Sequence, residues 1–357
     1  MSITSRLRLS VPVCALIAVS TLAIAAPAHA GQFVFERSAN SVWAMNENGS
    51  GARKLVDRSQ VSGMQEIDSA SVQPGGTEVA FTAGWAGAQH EEGRWDPFAV
   101  GYCGDGCLGY YELRGGALQR MTEGPAPCPT SQPCRINESD ARVAIDGSVA
   151  FSYQAVFGEQ SFPGGPWSDS AAQYEPRLRP AGGGNATKIV SPCASPLNIL
   201  DQPAPNPMNP REVLYEGCLD SSNALESLAR SGADPSNPGD DVGLVDDSGD
   251  FAGYDWRSDG RQIAFTDSGC NPIASSCGPN GLQLADLGAP NQPATSITYL
   301  LDSPSGTTFY SPRYMGSDRI AFVAKGDIWT VPTSCRPSTC TFPASATRIT
   351  RFGDVGA

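Results

Sequence analysis

A short hairpin recurs along this chain, and that recurrence limits the fold more than anything else in the sequence. Its clearest copy is "YDWRSDGRQIAF", residues 254–265. Tyr254 and Trp256 alternate with Asp255 and Arg257, the period-two pattern of a strand with one buried face. Asp259-Gly260 reads as a two-residue hairpin turn, because both residues tolerate positive φ. Ile263-Ala264-Phe265 then opens a second strand that is apolar on both faces, as expected where sheets pack on either side.

The same logic returns at "SASVQPGGTEVAF" (69–81), "ARVAIDGSVAF" (141–151), "PNPMNPREVLY" (205–215) and "SPRYMGSDRIAF" (311–322), while "GQFVF" (31–35) supplies a second strand alone. Anchored on the last aromatic, the copies fall at Phe35, Phe81, Phe151, Tyr215, Phe265 and Phe322, at intervals of 46, 70, 64, 50 and 57 residues. Third and fourth strands follow each copy. "SVWAMNENGSGARKLV" (41–56) and "GDIWTVPTS" with "SATRITRF" (326–334, 345–352) show them best. Looser versions stand at 109–122, 174–190 and 281–301. Only "SSNALESLARSG" (221–232) carries a short helical period. Repeats of this length, each a four-stranded unit, predict an all-β fold: a six-bladed β-propeller of antiparallel blades. A single blade cannot bury both its faces, whereas a ring of blades can. Because the chain opens on a second strand and ends after a fourth, the C-terminal tail is expected to pair beside the N-terminal strands. Such pairing closes the ring and removes exposed sheet edges.

"DWRSDGRQIAF" (255–265), "GDIWTVP" (326–332) and "NENGSGARKLV" (46–56) resemble the repeat of TolB-like (WD40-like, PD40) six-bladed propellers. The resemblance runs over nearly all of residues 31–357, a single expected domain, and is specific for fold rather than function. It implies a relative in architecture and not TolB itself, whose α/β domain has no room between Ala30 and Phe33. Blades two and three keep little of the motif and carry cysteine-bearing loops instead.

Residues 1–30 have the three-part layout of a secretory signal peptide. Arg6 and Arg8 precede an apolar run, and small residues stand at Ala28 and Ala30 before the expected cut. Pro12, Ser20, Thr21 and Pro27 interrupt the run, which argues against a membrane anchor. The expectation is therefore a secreted or periplasmic protein of the cell envelope, without membrane insertion after cleavage. The whole chain carries a formal charge of −13; without the leader, 22 basic residues face 37 acidic ones. Such a balance excludes nucleic acid and an anionic membrane surface as partners.

Beyond Cys14, ten cysteines fall into close pairs: Cys103 and Cys107, Cys128 and Cys134, Cys193 and Cys218, Cys270 and Cys277, Cys335 and Cys340. In an exported chain these read as disulfides within loops, with nearest-neighbour pairing the simplest of many connectivities. A structural zinc site would need a matching second pair beside Cys103 and Cys107, and the sequence offers none at such spacing.

No catalytic motif stands out. Beyond the leader, His90 is the sole histidine and sits in the polar stretch "GAQHEEGRWDP" (87–97). There is no GxSxG elbow, HExxH or phosphate-binding loop with its lysine. "DDVGLVDDSGD" (240–250) reads as an acidic loop in which Asp246, Asp247 and Asp250 are calcium candidates beside Asp240 and Asp241, although the spacing is not that of an EF-hand. No other cofactor is expected. The function expected is that of a monomeric, non-catalytic binding or scaffold protein. Its propeller face would recognise a protein or envelope component through insertions at 85–109, 123–139, 155–172 and 218–250. The alternative is an extracellular lyase or hydrolase of polymers with acidic residues at the channel mouth.

Overall fold

A computed structural model describes residues 31–60, 64–74, 76, 78–85, 107–121, 134–160, 167–181, 184–189, 203–216, 226–230, 242–247, 251–267, 270–271, 276–277, 281–288 and 294–356. It is a β-propeller. Blade 1 has three strands, Gln32–Arg37, Ser41–Asn46 and Arg53–Asp57. Blade 2 is Met64–Val72, Glu78–Trp85, Cys107–Arg114 and Ala117–Arg120. Blade 3 is Cys134–Val143, Val149–Gln160, Trp167–Arg179 and Thr187–Lys188. Blade 4 is Ala204–Asn206, Asn209–Glu216, Glu226–Arg230 and Val242–Asp247. Blade 5 is Phe251–Trp256, Gln262–Asp267, Gly281–Leu287 and Ala294–Asp302. Blade 6 is Tyr310–Met315, Arg319–Ala324, Asp327–Pro332 and Thr347–Arg348. In every blade neighbouring strands are antiparallel and follow one another along the chain, except that in blade 5 a separate two-stranded hairpin, Cys270–Asn271 with Ser276–Cys277, intervenes between the second and third strands.

The recurring aromatics explain why blades stack. All six anchors, from Phe35 to Phe322, are buried on the second strands. In blade 5, Ile263 and Phe265 pack with Ala204 and Leu214 of blade 4, while Ala264 between them joins Phe309 and Phe322 of blade 6. In blade 6, Ile320 and Phe322 face blade 5, and Ala321 faces Phe33 and Phe35 of blade 1. In blade 2, Val79 and Phe81 face Val42 and Val56 of blade 1, and Ala80 faces Phe151 of blade 3. Each of these second strands thus presents a bulky pair to the blade before it and a small residue to the blade after it. Large meets small at such junctions, and this interdigitation is what native packing density requires. "VAF" and "IAF" are the sequence form of that rule.

Ring closure follows the expectation, with one difference. Five sheets have four strands, and the N-terminal one has three. Its fourth member is a single antiparallel bridge from Arg37 to Val355 in the C-terminal tail. Ser38 N–H donates to Asp354 O at 3.0 Å, and Gly356 N–H to Glu36 O at 3.3 Å. Gly353 takes φ +75°, and directly after this turn Asp354 to Gly356 come to lie beside Ser38 to Glu36. The edge of Gln32–Val34 on that side has no pairing strand among the described residues.

Three expectations are corrected. The helical period at 221–232 does not make a helix: Glu226–Arg230 is a strand, paired on both sides with Asn209–Glu216 and Val242–Asp247. Two partners decide the matter, because strand preference depends more on its neighbours than on the residue run alone. The turn at Asp259-Gly260 is longer than two residues. Arg257 pairs across to Gln262, and only Gly260 adopts positive φ, at +66°, because the Asp259 carboxylate accepts from Arg261 N–H at 3.0 Å and holds its own backbone in the ordinary region. Finally, strands reach well into the expected insertions, at Cys107–Arg114, Cys134–Val143 and Trp167–Arg179.

Candidate binding cavity

First strands line the axis of the ring, and turns between first and second strands lie at one of its ends. At that end is a cavity of about 600 Å³ to which every blade contributes. Blade 2 gives Ala70 to Pro74, blade 3 gives Arg142 and Val143, and blade 4 gives Ala204, Pro205 and Pro207. Blade 5 gives Asp255, Trp256 and Ser258, and blade 6 gives Arg313, Tyr314 and Gly316. Blade 1 differs. Lacking an inner strand there, it exposes Gly31 to Val34 of its second strand, together with Glu47.

Register places one residue from each complete blade at a common level. Ser71 stands opposite Ala80, Arg142 opposite Ala150, Ala204 opposite Leu214, Asp255 opposite Ala264, and Arg313 opposite Ala321. Each partner directly precedes the anchor aromatic of its blade. The level therefore carries two arginines and one aspartate, with a gap at blade 1.

The two arginines converge although they belong to blades 3 and 6. Arg142 Nη1 donates to the Tyr254 carbonyl at 2.7 Å, and Arg313 Nη1 donates to the same oxygen at 3.1 Å. Arg313 also donates to its neighbour Pro312 O at 2.9 Å. Arg142 passes the inner strand of blade 4, which is only Ala204–Asn206 long. Pro205 and Pro207 flank its last residue and have no N–H to extend a ladder, which keeps that strand short. Burial and the neighbouring Arg142 charge push the Arg313 guanidinium down to about 10, with Asp255 opposing the shift. It stays cationic at neutral pH.

Asp255 accepts from Tyr314 N–H at 3.0 Å, and the Tyr314 hydroxyl donates to Gln262 Oε1 at 2.8 Å. Burial, and then the Asp255 charge, push the Tyr314 hydroxyl well above its ordinary range, so it remains protonated. Trp256 is fixed by its indole N–H to Ala204 O at 2.8 Å.

The rim carries exposed apolar side chains on two adjacent turns. Ile145 of blade 3 is 50% exposed and Met208 of blade 4 is 69% exposed. Gln73 Nε2 reaches Ile145 O at 3.1 Å and ties the turn of blade 2 to that of blade 3.

Most expected site residues fall elsewhere. Antiparallel order puts second-to-third connections, and connections between blades, at the face opposite the cavity. The stretches 86–106, 122–133, 161–166 and 217–225 attach there and lie outside the described residues, whereas 231–241 attaches at the cavity face. His90 and Asp250 are also outside the described residues. Asp246 and Asp247 end a strand, paired with Ser227 and Glu226, and are not in the loop expected for calcium. Among the described residues no group of three or more His, Cys, Asp or Glu could hold a metal ion. One expected disulfide, Cys335–Cys340, is described. Backbone register sets Cys270 directly opposite Cys277, and the side chains of both lie outside the described residues. The side chains of Cys107 and Cys134, and all of Cys103, Cys128, Cys193 and Cys218, lie outside the described residues. Sequence reasoning missed Arg142, Asp255 and Arg313. The available signal was a charged residue at the same place in the first strand of three repeats.

No protein-family model and no curated protein matches the chain. Solved structures do. The putative TolB of Agrobacterium tumefaciens aligns at 13% identity and TM-score 0.50, over 84% of this chain and 84% of that one. TolB of Acinetobacter baumannii aligns at 10% identity and TM-score 0.50, over 86% of this chain and 65% of that one. A puromycin-hydrolyzing peptidase of Mycobacterium tuberculosis aligns at 10% identity and TM-score 0.45, and the chain spans only 36% of its length. The likeness is one of fold. It shows the β-propeller expected from the repeats, a fold shared with TolB, and the function has to be read from the cavity. No helix among the described residues is long and apolar enough to cross a membrane.

Proposed function

We propose that this is an exported, non-catalytic binding protein that receives a protein or cell-envelope component at the cavity face of the propeller. The carrying observation is the coincidence of the cavity mouth with the exposed pair Ile145 and Met208 on neighbouring turns. Large exposed apolar side chains beside a concave opening are a common form of recognition surface. The layout of residues 1–30 supports export, and the TolB propellers of like fold are consistent with a binding role. The rim is held by short hairpins and by ties between its turns, so little ordering is needed on association.

The test is cross-linked capture from the producer's own envelope extract, with the wild-type protein and the Ile145→Ser, Met208→Ser double variant as paired baits. A partner held by the wild type and reduced about tenfold with the variant supports the reading. Replacing two exposed apolar side chains of a rim by serine should cost about 1–2 kcal/mol of association. A partner retained equally by both moves recognition to the opposite face and overturns the reading.

A further inference from the structure

From the level of the channel that carries Arg142, Arg313 and Asp255, we infer that the floor of the cavity is a binding site for a small oxyanion, a carboxylate or a phosphate group held between the two guanidinium groups. This goes beyond the docking reading and does not depend on it.

Three observations carry it. Arg142 and Arg313 meet at a single carbonyl, Tyr254 O, so two cations share one neutral acceptor. Neither guanidinium has a carboxylate within 4.0 Å among the described residues. The aspartate at their level is engaged by Tyr314 N–H. Elsewhere several part-buried arginines pair with carboxylates, as in Arg37 with Asp354 and Arg177 with Glu175, while Arg319 donates to the Thr330 hydroxyl. An arginine pair without carboxylate partners, in a chain of net charge −13, is therefore a local exception.

Charge chemistry then defines the ligand. Each guanidinium offers five N–H donors in a planar fork, and each of these two commits only Nη1, to the Tyr254 and Pro312 carbonyls. The remaining donors suit the paired oxygens of a carboxylate or phosphate, which Arg binds bidentately. Ser71 and Ala204, the other residues at this level, are small, and blade 1 leaves a gap there, so the arginines are not walled off from the cavity. Asp255, and Glu47 on the blade 1 side, oppose a second negative charge and favour a ligand with one anionic group at this depth.

Calorimetric titration at low ionic strength tests this on the purified, oxidised protein. The probes are sodium succinate and inorganic phosphate, each against wild type, Arg142→Met, Arg313→Met and Asp255→Asn. Saturable binding of at least one probe is expected, weakened tenfold or more by either arginine variant, roughly the loss of one charge-assisted pair. Preference for succinate identifies a carboxylate ligand, and preference for phosphate identifies a phosphoryl ligand. Asp255→Asn is expected to tighten binding about threefold by removing a competing charge, and it reports even if an arginine variant fails to fold. No saturable binding of either probe to the wild type overturns the inference, as does Asp255→Asn binding no tighter. The Ile145→Ser, Met208→Ser protein should bind the probe as wild type does, which separates failure of this site from failure of the docking reading.

Discussion

Between blades 4 and 5, Asn206 sits against Gly260, and the Trp256 indole is tied to Ala204. Between blades 6 and 1, Asp327 gathers the end of the chain, and Arg37 grips Asp354. The first junction joins consecutive blades through apolar packing with few polar contacts: Tyr254, Trp256, Ile263 and Phe265 meet Ala204 and Leu214. The second brings together Arg37 and Asp354, 317 positions apart, and adds a dense polar clamp to its core of Phe33, Phe35, Met315 and Val355. A junction between consecutive blades forms with little loop to close. A ring seam must hold against the entropy of a long loop, and it does so with directional bonds.

The largest effect is expected at the seam. The Asp327 side chain is 1% exposed and accepts from Thr350 Oγ1 at 2.9 Å, Phe352 N–H at 2.7 Å, Gly353 N–H at 3.3 Å, and the Arg348 guanidinium. Asp327→Ala leaves these donors without their acceptor at once. Breaking one side of a buried, hydrogen-bonded ion pair costs about 3–5 kcal/mol. Chemical denaturation should show that loss, together with faster proteolysis of the C-terminal tail. A loss under about 1 kcal/mol would mean that apolar packing holds the seam as it does the other junction.

The packed junction breaks differently. A Cβ on Gly260 would lie 2.4 Å from Asn206 Oδ1, and the residue has φ +66°. Asn206 has little freedom to retreat, because Nδ2 donates to Glu212 at 2.8 Å and Oδ1 accepts from Met208 N–H at 2.8 Å. Gly260→Ala is expected to cost on the order of 2 kcal/mol, from strain at positive φ and from the contact together. Gly306→Ala is the control: φ is +74° there, but nothing lies within 4 Å of the added carbon. It should cost about 1 kcal/mol. Equal losses at the two sites in chemical denaturation would show that conformation alone, and not the fit between blades 4 and 5, sets the size of the effect.

These two junctions also show what could be read from the sequence. The anchors Phe265 and Phe322, with Ala264 and Ala321 before them, announce the blades because one residue's size carries the message within its own strand. The Asp-Gly turn was visible as well, but not its length, which depends on a side-chain bond from Asp259 to Arg261 N–H. Closure was legible as a missing inner strand, although its small extent, a single bridge from Arg37 to Val355, was not. Arg142 and Arg313 escaped notice because 171 residues separate them in sequence. They meet only once the ring closes and the inner strand of blade 4 stays short enough to let Arg142 past. Asp246 and Asp247 misled for the opposite reason: five aspartates in eleven residues look like a loop until Glu226–Arg230 pairs with two of them.

The smallest effect sharpens the contrast most. Arg37 Nε and Nη2 meet Asp354 Oδ1 and Oδ2 at 2.9 and 3.0 Å, and Ser38 Oγ donates to Oδ2 at 2.6 Å. The Arg37 bond is the main cause holding the Asp354 carboxyl below its usual range. A carboxyl lowered on folding contributes stability that is present above its unfolded value, near 3.8, and is lost as pH falls through the folded value. The Asp354 side chain is 33% exposed, so solvent screening limits the contribution to about 0.5–1 kcal/mol. Asp354→Asn should therefore lower stability slightly at pH 7 and flatten the acid limb of the pH–stability curve below about pH 4. Added salt should shrink the difference from wild type. If the Asp354→Asn curve keeps the wild-type slope in acid, the charge does not help close the ring, and the bridge from Arg37 to Val355 rests on backbone and aromatic contacts, with Phe352 stacked on Phe35 at 5.9 Å.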